Sequence, residues 1–231
     1  MKKYLFLFAC IVFTSGIYAQ NLRKGLVVHM SMDGNALDMS KYKNNGIAEG
    51  VIPAKDRLGN ENSAYQFDGD ALIKIPHSKS LNIKKAISIA IWIKMDRYKY
   101  GGMRIIDKNT AGGIDGYMFD TYNSYTNEGT GLRFGMTNFG ANYFDRIPVN
   151  EWIHIAFVCG KGKFQYYING ELKKTSKAPL NYFGQNTLPL IIGMSQGQYA
   201  RDEHFEGFMD NFRLYNRVLS EEEVRLIYNE K

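Results

Sequence analysis

Three short segments of this chain set tyrosine rings beside amide and carboxylate side chains. They are RYKYGG, with Tyr98 and Tyr100, GYMFDTYNSYTNEG, with Tyr117, Tyr122 and Tyr125, and NYF, with Tyr143 and Phe144. Each ring offers a flat apolar face, and Asp120, Asn123, Asn127 and Asn142 offer hydrogen-bonding groups close by in sequence. A ligand with C–H faces and ring hydroxyls would suit that chemistry, and a sugar is such a ligand. The residues singled out as a binding set are Tyr98, Tyr100, Tyr122, Asn123, Tyr125 and Asn142. The competing reading is that half of the rings cover a core and keep only their hydroxyls wet.

Catalytic constellations are sparse. In RDEHFEG, Glu203 and Glu206 are three apart and would point to opposite faces of a strand. The four histidines, His29, His77, His154 and His204, are dispersed, and HExxH does not occur. His154 alternates with Trp152 and Ala156, which suits packing within a sheet. Asp38 in DMS and Asp68 and Asp70 in FDGD read as loop carboxylates that bond to local backbone.

The elements that must position these residues are strands. Many short alternating runs are punctuated by Gly, Asn and Asp, and no helical period is sustained before residue 215. In AISIAIWIKM, Ile87, Ile89, Ile91 and Ile93 share one face, and the other face is also largely apolar, so this strand should be central and covered on both sides. EWIHIAFVCGKGKFQYYING reads as a hairpin, with Trp152–Val158 going up, Gly160–Gly162 turning and Lys163–Ile168 returning. Asn169-Gly170 then begins another tight turn. The chain closes on one short helix. Ser220 and Glu223 form a capping box, Leu219 and Val224 a hydrophobic staple, and Val224, Ile227 and Tyr228 an apolar stripe that should lie on the sheet.

Composition narrows the classes. Residues 1–19 have two lysines, an apolar run from Leu5 to Phe13 and small residues up to Ala19, the layout of a secretory leader. The apolar run is shorter than the roughly 20 residues of a membrane span, so no transmembrane segment is expected in the mature chain. Without Lys2 and Lys3, 27 basic residues face 23 acidic ones, a net charge of +4 with no basic block, which gives no support to nucleic-acid binding. Cys159 then has no partner for an internal disulfide. No repeat or Pro-rich linker divides residues 20–231, so one domain is expected.

LVVHMSMDGNALDMSKYKNNG, AYQFDGDALIKIP, AISIAIWIK, EWIHIAFV with FQYYING, and FEGFMDNFRLYNRVLSEEEVRLIY together resemble the laminin-G-like jelly-roll domains of the concanavalin A-like lectin/glucanase superfamily. The resemblance runs from about residue 25 to 229. It implies an all-β fold, an antiparallel two-sheet jelly-roll sandwich with one short C-terminal helix. It also implies a structural calcium ion where the first and last strands meet, held by Asp33, Asp210 and the Asn35 side chain. The other reading of Asp210 is a partly buried acceptor paired with backbone or Arg213. Glucanases of this superfamily carry E-x-D-x-E on one strand, which brings carboxyl groups to the ~5 Å that retaining hydrolysis needs. That run does not occur here. The expectation is a secreted, periplasmic or cell-surface module that binds a glycan or polysaccharide without catalysis. The alternatives are a protein-interaction or adhesion module, which would bind a surface protein, and a divergent glycoside hydrolase.

Overall fold

The isoleucine-rich run at the centre of the sequence is also the centre of the molecule. A computed structural model describes residues 22–99, 101–110, 115–122, 131–136, 139–143, 145–179, 184–196 and 204–231. The leader expected over residues 1–19 lies outside this set, as do Tyr100, Asn123, Tyr125, Asn127, Phe144 and Glu203. Among the described residues no helix is long and apolar enough to cross a membrane.

Fifteen strands are described: β1 (Leu26–Met30), β2 (Ile47–Glu49), β3 (Ile52–Ala54), β4 (Ala64–Asp68), β5 (Leu72–Ile75), β6 (Ile87–Met95), β7 (Arg104–Asn109), β8 (Gly116–Tyr122), β9 (Gly131–Met136), β10 (Phe139–Tyr143), β11 (Ile153–Gly160), β12 (Lys163–Ile168), β13 (Glu171–Lys177), β14 (Leu190–Ile192) and β15 (Glu206–Tyr215). The helix α1 (Glu221–Asn229) follows them. One sheet has the order β13-β12-β11-β6-β15-β4-β3, with β1 added on β15. The other has the order β10-β9-β8-β7-β14-β5-β2. All the pairings are antiparallel, and the two sheets close on one core as the jelly-roll expectation requires.

β6 lies between β11 and β15. Ile87, Ile89, Ile91 and Ile93 enter the core between the sheets, against Phe119, Phe134 and Phe157 among others. The opposite face of this sheet is sealed by α1. Val224 and Ile227 pack with Ala90, Ala156, Val158, Tyr167 and Tyr215, and Leu219 joins them as the staple. The capping box forms, with the Glu223 N–H donating to Ser220 Oγ at 3.1 Å and the Ser220 N–H donating to the Glu223 carboxylate at 2.8 Å. The hairpin β11–β12 and the turn into β13 also form, and Asn169 and Gly170 take the positive φ values of 50° and 76° that a tight hairpin turn demands.

His154 sits on the sealed face beside the stacked pair Trp92 and Tyr228, with ring centroids 5.4 Å and 5.9 Å away. It is fully buried, and neither ring nitrogen has a hydrogen-bond partner among the described residues. Burial, helped by the charges of Arg213 and Arg57, pushes its pKa down to about 3. In the unfolded chain it titrates near its ordinary value of about 6.5, so the folded state is at a disadvantage only where the unfolded chain takes up the proton. The contribution is intact above pH ~6.5 and is lost as the pH falls from there toward 3, by about 1.4 kcal/mol per pH unit. We therefore expect the melting temperature to fall as buffers go from pH 7 to pH 4, and His154→Phe to flatten that fall. An equally steep fall in the variant would place the acid sensitivity elsewhere.

Candidate functional site

The register of the seven-stranded sheet brings together residues that the sequence scatters over forty positions. On β8, Tyr117 and Phe119 turn inward to the core, so Met118, Asp120 and Tyr122 turn outward, and the same alternation puts Arg133 and Gly135 outward on β9 and Gly140 and Asn142 outward on β10. Arg104 is paired with Asp120, Asp120 with Arg133, and Arg133 with Asn142. A polar row therefore crosses four adjacent strands.

Asp120 organises the row. It is 2% exposed and accepts two bonds from Arg133, from Nε at 3.0 Å and from Nη2 at 2.6 Å, while Arg104 Nε stands 3.7 Å from the same carboxylate. Arg104 also faces Asp107, with its Nη1 3.5 Å from Asp107 Oδ2. Asp107 is taken up in turn by the Asn109 N–H at 2.9 Å, the Gln196 N–H at 3.2 Å and the Ser195 hydroxyl at 3.3 Å. Burial raises the Asp107 pKa, against the pull of Arg104 and of these donors. Gly135 pairs with Gly140; the Met118 side chain covers Gly135, whereas Gly140 is exposed and a side chain there would meet open space.

One candidate tyrosine, Tyr122, borders this row, and a second, Tyr98, lies at the same end of the sandwich. Tyr122 lies against the Arg133 guanidinium, with Cζ 4.8 Å from the ring centroid. Tyr98 packs against the core, carries the Arg146 guanidinium 5.3 Å above its ring and accepts a bond from Arg146 Nε at 3.0 Å. These residues share one end of the sandwich, because β7 begins there, β8 ends, β9 begins and β10 ends. The approach is tight at Gly102, where φ is +96° and a Cβ would stand 1.9 Å from the Thr121 carbonyl oxygen. The Met103 N–H donates to Thr121 Oγ1 at 2.7 Å and completes the join.

The other aromatic positions fall differently. Tyr117 is buried in the core, with its hydroxyl donating to the Leu81 carbonyl at 3.1 Å, and Tyr143 is also buried and donates to Asp145 at 2.9 Å. These two cover the core, as the competing reading holds. The Asn142 carbonyl accepts the Lys174 amine at 2.6 Å. Arg104 and Arg133 escaped the sequence reading because charged residues alternating along strands look like an ordinary solvated face. The available signal was outward-facing acids and arginines on neighbouring strands, which becomes visible only with the register. Glu206, the described member of the expected acidic pair, is paired with Arg97 at 2.6 Å and Lys99 at 3.1 Å.

The residues named for calcium are engaged otherwise. Asp210 is 3% exposed at an irregularity in β15, and its carboxylate accepts Arg57 Nη1 at 2.6 Å, a partner the sequence did not suggest. Burial pushes its pKa up to about 7; Arg57 opposes that rise and Asp56 and Asp33 add to it. Asn35 uses its amide locally, donating to the Asp33 carbonyl and accepting from the Leu37 N–H, each at 3.0 Å. Asp33 is exposed. Calcium needs about six oxygens turned to one point, and this set, with a guanidinium on its one buried carboxylate, does not fit that ion. Among the described residues no three His, Cys, Asp or Glu side chains converge as metal ligands. Asp38 is a loop carboxylate as expected, accepting from the N–H groups of His29, Ser40 and Asn44 at 2.7–2.8 Å.

The family model described as concanavalin A-like lectin/glucanases superfamily matches residues 67–225. No curated protein matches the chain. Among solved structures, domain 4 of AbnA, an extracellular GH43 arabinanase from Geobacillus stearothermophilus, in complex with arabinotriose, superposes with a TM-score of 0.68 at 20% identity, over 88% of this chain and 98% of that one. The structure described by the ganglioside-dependent cell entry of botulinum neurotoxin type C superposes at 0.67 and 14% identity, over 91% and 52%. The binding domain of botulinum neurotoxin DC in complex with rat synaptotagmin II superposes at 0.64 and 14%, over 90% and 52%. The chain spans about half the length of those toxin binding domains.

Asp120→Ala should separate support from contact. It leaves Arg104 and Arg133 facing each other without their carboxylate. Losing a fully buried partner costs about 3–5 kcal/mol, and solvent screening at the quarter-exposed Arg133 reduces that to about 2 kcal/mol. For a chain of this size a drop of roughly 4–8 °C in melting temperature is expected, and an unchanged melt would remove Asp120 from its organising role.

Proposed function

The chain belongs to the concanavalin A-like lectin/glucanases superfamily, and from that premise we propose that it is an exported, non-catalytic module that binds an oligosaccharide or polysaccharide at the β7–β10 end of its seven-stranded sheet. The observation that carries this reading is the row Arg104–Asp120–Arg133–Asn142, bordered by Tyr122. The partly exposed Arg133 guanidinium suits hydroxyl and ring oxygens, the Tyr122 ring suits C–H faces, and the open backbone at Gly140 leaves room for a sugar ring beside Asn142. The arabinotriose complex of the arabinanase domain supports a glycan as ligand.

Absence of catalysis is part of the proposal. Glycosidic hydrolysis needs one carboxyl group able to give a proton and another able to attack or to activate water. On this face Asp120 is held between two arginines, and Asp107 is committed to Arg104, Asn109, Ser195 and Gln196. The leader-like residues 1–19 support export.

A protein ligand is the second reading. It is favoured by the exposure of Leu37, Met39 and Tyr42 on the segment after β1, and by the synaptotagmin complex of the neurotoxin DC domain.

Calorimetric titration of residues 20–231 against neutral and acidic oligosaccharides, arabinan fragments among them, tests the proposal, with a reducing-sugar assay on every hit. Saturable binding without sugar release is expected, weakened at least tenfold, about 1.4 kcal/mol, by Tyr122→Ala. Release of sugar would make the protein an enzyme, and a blank across all oligosaccharides would favour the protein ligand.

A further inference from the structure

β15 changes partners halfway along its length. Met209 pairs with Tyr65 of β4 and Phe212 with Met30 of β1, and between them the ladder is broken at Asp210 and Asn211, where Asn211 takes a positive φ of 53°. Asp210 still faces Trp92 of β6, so its carboxylate is held in the notch where one neighbour ends and the next begins.

Arg57, from the turn between β3 and β4, fills that notch. Its Nη1 donates to Asp210 Oδ2 at 2.6 Å, its Nη2 donates to the Glu230 carbonyl at 2.5 Å, and its Cζ lies 4.6 Å from the centroid of Trp92. Tyr228 stacks on the same indole at 5.4 Å with 24° between planes. The Glu230 carboxylate is held by Arg213. The Arg57 side chain is 9% exposed and that of Asp210 4%. One guanidinium thus joins a turn, the last strand and the residue after α1, at the place where the family resemblance calls for a metal ion.

We propose that Arg57 is the resident cation of this junction, replacing calcium and making the fold independent of metal. A guanidinium is suited to the position because its planar fork donates in two directions at once and its face stacks on an indole, and its charge cannot be lost near neutral pH. A calcium ion cannot share the site, since it would need the carboxylate oxygen that Arg57 holds and a shell of oxygens where the indole and guanidinium lie.

Thermal melts of the wild-type chain, Arg57→Met, Asp210→Asn and the double variant, each in millimolar calcium and in chelator, test this. The wild-type melting temperature should be the same in both buffers. Arg57→Met should lower it by about 10 °C, because it strands a buried carboxylate, and in the Asp210→Asn background the same substitution should cost less than half as much. A wild-type melt that calcium raises and chelator lowers would overturn the proposal, and so would an equal cost of Arg57→Met in both backgrounds. If Arg57→Met alone yields no folded protein, a double variant melting near Asp210→Asn supports the pairing, and a double variant that is also unfolded overturns it.

Discussion

The middle of the eight-stranded sheet is covered on both faces, by the second sheet on one side and by α1 on the other, and that burial constrains the polar residues of β6, β11 and β15 beneath the helix. A polar side chain in such a place must find its partner inside the protein or stay neutral. Ser88 meets the demand by accepting the Leu219 N–H at 3.1 Å and donating to the Arg217 carbonyl at 2.7 Å, which ties the approach to α1 to the central strand. Asp210 and Arg213 meet it with charged partners drawn from the β3–β4 turn and from Glu230. His154 remains neutral beside Trp92 and Tyr228.

The outer face of the seven-stranded sheet carries a different burden. No apolar stripe occupies β8, β9 and β10 there; Met118 and Asp120, Arg133 and Gly135, and Gly140 and Asn142 do. Arginines on that face are held rigid by buried carboxylates, and a rigid donor loses little entropy on meeting a ligand. The division of labour is therefore between sheets. One sheet covers its polar groups with packing, and the other holds them in charged pairs along its outer face.

What the sequence disclosed follows the same division. The isoleucines of β6, the Asn169-Gly170 turn and the Ser220–Glu223 box are local patterns whose meaning does not depend on distant residues, so they were legible. The end of the sandwich was half legible. Tyr98 and Tyr122 stood out by type, but Tyr117 and Tyr143 had the same appearance and belong to the core, because whether a strand residue faces in or out depends on register. Arg57 was not legible at all. It is 153 positions from Asp210, in a turn where Lys55 and Asp56 precede it like any run of solvated charges.

The pairing of β1 with β15 sets Leu26 opposite Tyr215, and Tyr215 lies opposite Ser88 at the start of β6, whereas Met95 at the other end of β6 leads to the loop that carries Tyr98. Entry into the fold and the tyrosine-rimmed row are thus separated by the length of the central strand. A carrier domain, a surface or a solid support joined through residue 22 would hold the module upright, with the row pointing away from the point of attachment. On the reading proposed above, several copies mounted in that way engage one long polymer side by side, gaining avidity that no single copy has.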